Sequence, residues 1–265
     1  MTTDINGVRY FFVDAGKGLP VLFIHGFPFS HAIWQPQIEA LAKHFRIIAP
    51  DLRGHGESAA SSGVYTMDAF AEDLRALIDV CNCGPVVLAG HSMGGYIAFA
   101  FYRKFPQQVR ALILVCTRAS ADSEEGKAGR ERLAQRVERE GAPAVVEQML
   151  PKMLAAATVA SRPDLVDHVR NMMLGTSVSG LAGSLRGMAV RPSSLELLPH
   201  LAAPTLVISG SEDLLIPTQE AETMAKTIPG AQLQLIPHAG HLASLENPSD
   251  VTAAIRDFLV TISHS

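Results

Sequence analysis

Hydrophobic residues along the chain gather into short runs, at 8–13, 21–24, 45–49, 86–89, 111–115, 205–209 and 232–236. These runs are too short for helices and rich in Val, Ile, Leu and Phe, the composition of strands buried on both faces of a parallel sheet. Between them the period changes. "TMDAFAEDLRALIDVC" sets Met67, Phe70, Leu74, Leu77 and Ile78 on one helical face, with Thr66 placed to cap it. "YIAFAFYRKF" continues as a helix that must stop before Pro106, and "NPSDVTAAIRDFLVTI" supplies a last helix with Pro248 in its first turn. Alternating strands and helices predict an α/β fold with a doubly wound, mostly parallel sheet and right-handed crossovers.

The alternation breaks once. From 117 to 192 the chain is charged and helical in pattern, with Met-rich stretches "VVEQMLPKML" and "VRNMMLG" and no convincing strand, and strand–helix units resume at Thr205. The expected organisation is one core domain built from residues 1–116 and 193–265, with residues 117–192 inserted as a helical cap over one end of the sheet.

Composition narrows the function classes. With 265 residues, 48% of them hydrophobic, the chain can bury a large core. A net charge of −4 without any Lys/Arg run gives no footprint for nucleic acid. No apolar run approaches the ~20 residues of a membrane span, and Asp4, Arg9, Asp14 and Lys17 interrupt the N-terminus where a secretory signal needs an apolar core. The expectation is a cytoplasmic protein without membrane partners. Cys81, Cys83 and Cys116 are an odd set that reads as free thiols, and Cys81-Asn82-Cys83 lacks the second ligand pair of a zinc site. No metal or other cofactor is called for. A homo-oligomer is compatible with the sequence.

The candidate chemistry lies in "LAGHSMGGYIAFAF", residues 88–101, where a strand gives way to a helix through a serine flanked by glycines. A tight strand-to-helix turn strains the backbone at Ser92, and Gly90 and Gly94 let strand and helix approach where a Cβ would clash. The hydroxyl is then presented at the carboxyl ends of the strands, where open α/β sheets place their ligands. The N–H groups of the following helix terminus favour a developing negative charge there.

Serine is a weak nucleophile until a base takes its proton, so a histidine and an orienting carboxylate are required. His91 lies in the turn itself, His44 and His168 fall on helix-like stretches, and His264 is at the terminus. His241 and His238 share the loop between the last strand and the last helix, "IPHAGHLASLENP", which opens at the same end of the sheet as Ser92. Glu212 and Asp213, in "TLVISGSEDLLIP", follow another strand's end.

Five segments in this order, "HGFP", "DLRGHGES", "GHSMGG", "GSEDLLIP" and "AGHLASLENP", resemble the α/β-hydrolase fold family almost end to end. The resemblance implies a sheet of about eight strands, a cap and a cofactor-free site. It also implies Ser92 as nucleophile, Asp213 rather than Glu212 as acid and His241 rather than His238 as base. Oxyanion donors are then the N–H of Met93 and one from the loop after Ile24. Pro28 has no N–H, so Phe27 is the better candidate. His25, Arg53 and His55 read as loop-stabilising. Haloalkane dehalogenases and epoxide hydrolases of this fold use an aspartate where Ser92 stands. The remaining similarity is to carboxylesterases, arylesterases and 3-oxoadipate enol-lactonases, which implies a small ester or lactone as substrate. A pocket formed in part by Phe29, Trp34, Leu150, Met153 and Leu215 is expected. A perhydrolase, an amide or C–C hydrolase, or a small-ligand receptor without turnover would share the same residues.

Overall fold

In the computed structural model, which describes residues 1–263, eight strands form one sheet in the order β1-β2-β4-β3-β5-β6-β7-β8. The strands are β1 (Thr2–Ile5), β2 (Val8–Ala15), β3 (Pro20–Ile24), β4 (Arg46–Pro50), β5 (Val86–His91), β6 (Val109–Val115), β7 (Thr205–Gly210) and β8 (Gln232–Ile236). The pairs β1/β2 and β2/β4 are antiparallel and all the others parallel. β1 has no counterpart among the apolar runs, because it carries "TTDI" at the sheet edge and buries only Ile5. It pairs with β2 through a turn at Asn6-Gly7, both at positive φ, which suits an Asn-Gly hairpin.

The central strands are apolar because helices cover them on both faces: β5 and β7 are buried throughout. Helix α1 (Gln35–Leu41) follows β3, and α2 (Met67–Val80) begins where the Thr66 hydroxyl accepts from Ala69 N at 3.1 Å. Helix α3 (Met93–Lys104) follows β5 directly. Between β6 and β7 the chain forms α4 (Glu124–Glu140), α5 (Pro143–Met149), α6 (Ala156–Ser161), α7 (Pro163–Leu174) and α8 (Val178–Ala189). The fold closes with α9 (Thr218–Thr227), α10 (Ala243–Glu246) and α11 (Pro248–Ser263). Among the described residues, no helix is long and apolar enough to cross a membrane.

Register brings the strand ends together. Ile24 pairs with Gly90, His91 with Val115, Val115 with Ile208, and Gly210 with Ile236. The segments that follow these residues therefore open at one end of the sheet. α7 and α8 are tied to that end: the Thr176 hydroxyl donates to Pro28 O at 2.6 Å and the Ser177 hydroxyl to Gly54 O at 2.8 Å.

Candidate active site

Ser92 stands between β5 and α3 at φ 52°, ψ −112°, left-handed backbone that a non-glycine residue adopts only under constraint. Its N–H donates to Val115 O at 2.9 Å, and its carbonyl accepts from Gly95 N at 2.9 Å and the Thr117 hydroxyl at 2.8 Å. The glycines make the turn sterically feasible. A Cβ on Gly90 would lie 2.4 Å from Gly94 O, and one on Gly94 would lie 2.3 Å from Ile24 O.

Asp213 follows β7 and is buried. One carboxylate oxygen accepts from the amides of Leu215 at 2.8 Å and Ile216 at 2.9 Å, and the other lies 2.8 Å from His241 Nδ1. Burial alone would raise this carboxyl, but the adjacent imidazole and the two amides outweigh it and leave it below its ordinary value. With Nδ1 committed to Asp213, the Nε2 edge of His241 is left for the cavity. His238 and Glu212, the other histidine and carboxylate of these loops, face each other at 3.6 Å on the surface, with the His238 side chain 87% exposed.

The His241 loop is held from two directions. His91 Nε2 donates to the His241 carbonyl at 2.8 Å, and the two rings lie 4.9 Å apart. Glu246 accepts from Gly240 N and from Ala155 N, each at 2.8 Å, so one carboxylate joins this loop to the segment before α6. Leu242 N also donates to Met153 O at 3.1 Å.

On the β3 side, His25 accepts from Leu52 N through Nε2 at 2.9 Å and faces Gly26 O through Nδ1 at 2.9 Å. His55 packs 5.2 Å from His25 and edge-on to Phe27. Arg53 makes paired 2.6 Å bonds to the buried Asp73. All three stabilise loops. Among the described residues, no protein acceptor takes the N–H of Phe27 or of Met93. Burial drives the His25 and His91 imidazoles down to about 3 and His55 to about 4, so each is neutral near pH 7.

Ser92, His241, Phe27 and Leu215 share the wall of a cavity of about 280 Å³. Four of the expected pocket residues do not line it. Phe29 and Trp34 are fully buried, and the short helix His31–Trp34 turns the Trp34 ring inward, onto Phe23 at 4.8 Å and His91 at 6.2 Å. Met153 is buried against the His241 loop, and Leu150 packs on the core while its neighbours Met149 and Lys152 face the cavity. The sequence reading missed Tyr96, Asp122, Leu185 and Met188. Tyr96 had a signal, one turn into the helix after Ser92; the others depend on how α4 and α8 pack. His264 lies outside the described residues. Among those residues, no group of three His, Cys, Asp or Glu side chains is arranged to hold a metal ion.

A family model for the alpha/beta hydrolase fold matches residues 20–248. The chain is similar to the solved structure of a thermophilic esterase from Thermogutta terrifontis with malate bound, at 46% identity over 99% of this chain and 97% of that one, TM-score 0.95. It is also similar to the enol-lactonase from Burkholderia xenovorans LB400, at 26% identity over 98% and 100%, TM-score 0.91. The AB hydrolase superfamily protein YisY of Bacillus subtilis is 30% identical over 95% of each chain.

Proposed function

The chain belongs to the α/β-hydrolase fold family, and on that premise we propose that it hydrolyses small carboxylic esters through an acyl-enzyme formed on Ser92. One observation carries the reading: a serine at a strained turn and a histidine anchored on a buried carboxylate open on the same cavity. His241 Nε2 takes the Ser92 proton as the hydroxyl oxygen attacks the carbonyl carbon, and Asp213 holds the imidazole in the required tautomer and stabilises its cation. The free N–H groups of Phe27 and Met93 receive the oxyanion. The ester C–O bond then breaks, and the alcohol leaves with the proton from His241. Water, deprotonated by His241, attacks the acyl carbon and releases the acid and Ser92.

Residues 117–192 serve as the cap: α4, α5 and α8 supply Leu133, Met149, Leu185 and Met188 as an apolar wall facing the nucleophile. Similarity to an esterase and to an enol-lactonase supports open-chain or cyclic esters as substrates.

Steady-state hydrolysis of p-nitrophenyl esters of increasing acyl length, compared with Ser92→Ala, tests the reading. Loss of turnover by several orders of magnitude in the variant is expected. Equal rates in the two proteins would refute the role of Ser92.

A further inference from the structure

Helix α2 ends on a pair of thiols that plays no part beside Ser92. Cys81 caps the helix, Asn82 follows at φ 47°, and Cys83 comes next. Two backbone bonds close this turn, Asn82 N to Asp79 O at 3.0 Å and Cys83 N to Ile78 O at 3.1 Å, the paired bonds of a Schellman motif with asparagine in the left-handed position. The chain therefore folds back between the two cysteines, and their thiols are in hydrogen-bonding contact with each other. Two Cα steps of ~3.8 Å each, bent by a turn, fall within the ~4.4–6.8 Å that a disulfide spans.

The two sulfurs differ in access and in charge. Cys81 is buried, whereas Cys83 is partly exposed. Contact with Cys83, together with burial, pushes the Cys81 thiol up and keeps it protonated. The hydrogen bond from Cys81 and the Arg46 guanidinium bring Cys83 down, against burial and the carboxylates of Asp14 and Asp79. Arg46 is held in place by the same turn: it donates to Cys81 O at 3.0 Å and to the Asp14 carboxylate at 2.7 Å and 3.0 Å. The accessible sulfur is thus the better nucleophile, and the buried one stands directly behind it. Among the described residues, no third His, Cys, Asp or Glu joins the pair in a metal-holding group. The turn precedes β5 and Ser92 follows it, so the thiols lie at the opposite end of that strand from the nucleophile.

We propose that Cys81 and Cys83 form a reversible dithiol site that reacts with small-molecule disulfides and closes into an intramolecular disulfide. The site is independent of the ester-hydrolase reading. With glutathione disulfide, the Cys83 thiolate attacks one sulfur, the S–S bond of the reagent breaks, and one glutathione thiolate leaves. Cys81 gives its proton to that thiolate and attacks Cys83 Sγ. The Cys81–Cys83 bond forms as the second glutathione departs as a thiolate. Two cysteine thiols are oxidised and one disulfide is reduced, with no other oxidant. A ring closed across one residue removes little entropy from the unfolded chain, so excess thiol reopens it readily.

The test exposes the folded, pre-reduced wild-type protein to excess glutathione disulfide, alkylates the remaining thiols, and weighs the tryptic peptide 76–103, which holds both cysteines. The expected peptide is lighter by two hydrogens, carries neither glutathione nor the alkyl group, and regains both hydrogens with dithiothreitol. Cys81→Ser should retain one glutathione on Cys83, because nothing displaces it. Cys83→Ser should react roughly tenfold more slowly or less, because Cys81 is buried. A wild-type peptide that keeps glutathione, keeps two alkylated thiols or links to a second chain overturns the inference, and so does a disulfide that forms only in denaturant. Equal rates in the two serine variants would overturn the assignment of Cys83 as the attacking thiol. The wild-type result needs neither variant to fold, and ester turnover plays no part in the readout.

Discussion

His91 Nε2 donates a hydrogen bond to the main-chain carbonyl of His241 over 2.8 Å, across a sequence separation of 150 residues. The residue immediately before the nucleophile therefore fixes the backbone of the base. Its other ring nitrogen, Nδ1, is buried without a partner against Gly26, where an added Cβ would come within 2.5 Å. Replacing His91 with Leu keeps much of the volume and removes the donor. A fall in kcat of about tenfold is expected, the worth of one net hydrogen bond in the site, with partial recovery in His91→Gln. Unchanged kcat in the Leu variant would show that the His241 loop holds itself.

The 2.8 Å contact between Asp213 and His241 distinguishes them from their surface neighbours. Asp213→Asn should lower kcat by roughly 10⁴, because an amide can present a donor to Nδ1 and favour the wrong tautomer. His238→Ala and Glu212→Gln, on the exposed pair, should stay within about twofold of wild type, in line with the small effects of surface substitutions. Comparable losses in the two sets would remove the assignment.

Gly94→Ala tests the turn itself. Its Cβ would sit 2.3 Å from Ile24 O, a backbone atom that cannot rotate away. Destabilisation at or above the ~1–3 kcal/mol typical of overpacking is expected from denaturant unfolding, with activity falling as the loop carrying Phe27 shifts. A variant of wild-type stability would mean that strand and helix separate more easily than their contact implies.

Stability should be acid-sensitive well above the range where carboxylates titrate. His25, His55 and His91 have folded values of about 3, 4 and 3, against an ordinary 6.5. Between these limits the unfolded chain binds protons that the folded chain refuses, so stability rises with pH and falls as pH drops below about 6.5. Each histidine contributes a slope of about 1.4 kcal/mol per pH unit once its unfolded form is protonated, roughly 4 kcal/mol per unit for the three. Glu246, whose carboxyl burial raises, acts in the opposite sense as a single group. Guanidinium midpoints measured from pH 7 to 4.5 should drop steeply; a flat series would mean that these rings accept protons in the folded state.

Glu246 joins Gly240 N to Ala155 N, and Glu246→Ala should loosen the His241 loop and the segment before α6 together. Losing an acceptor for two buried amides is expected to cost about 2–6 kcal/mol, from 1–3 for each unsatisfied group, and to lower kcat more than it raises KM. Hydrogen exchange at Gly240 and Ala155 is the direct readout: faster exchange at both is expected, and faster exchange at only one would show that the two segments are not coupled.

The sequence by itself determined the sheet, the elbow and the loops that carry Asp213 and His241. Strands covered on both faces must be continuously apolar, a strained turn needs its glycines, and both requirements are local and survive in the order of residues. β1 escaped because an edge strand buries so little that its composition is polar; the Asn6-Gly7 turn was its only local mark. The residues by themselves left open which histidine meets which carboxylate; the family resemblance singled out Asp213 and His241, and only tertiary structure supplies the physical reason, because His238 and His241 share one loop and differ in where its backbone turns them. Tertiary structure also decided the cavity wall. Trp34 and Phe29 went to the core, while Arg118, Arg130 and Lys152 came to stand beside Ser92. Those positions follow from helices packing across long sequence separations, and no period in the chain records which face of α4 will turn toward a serine some forty residues away.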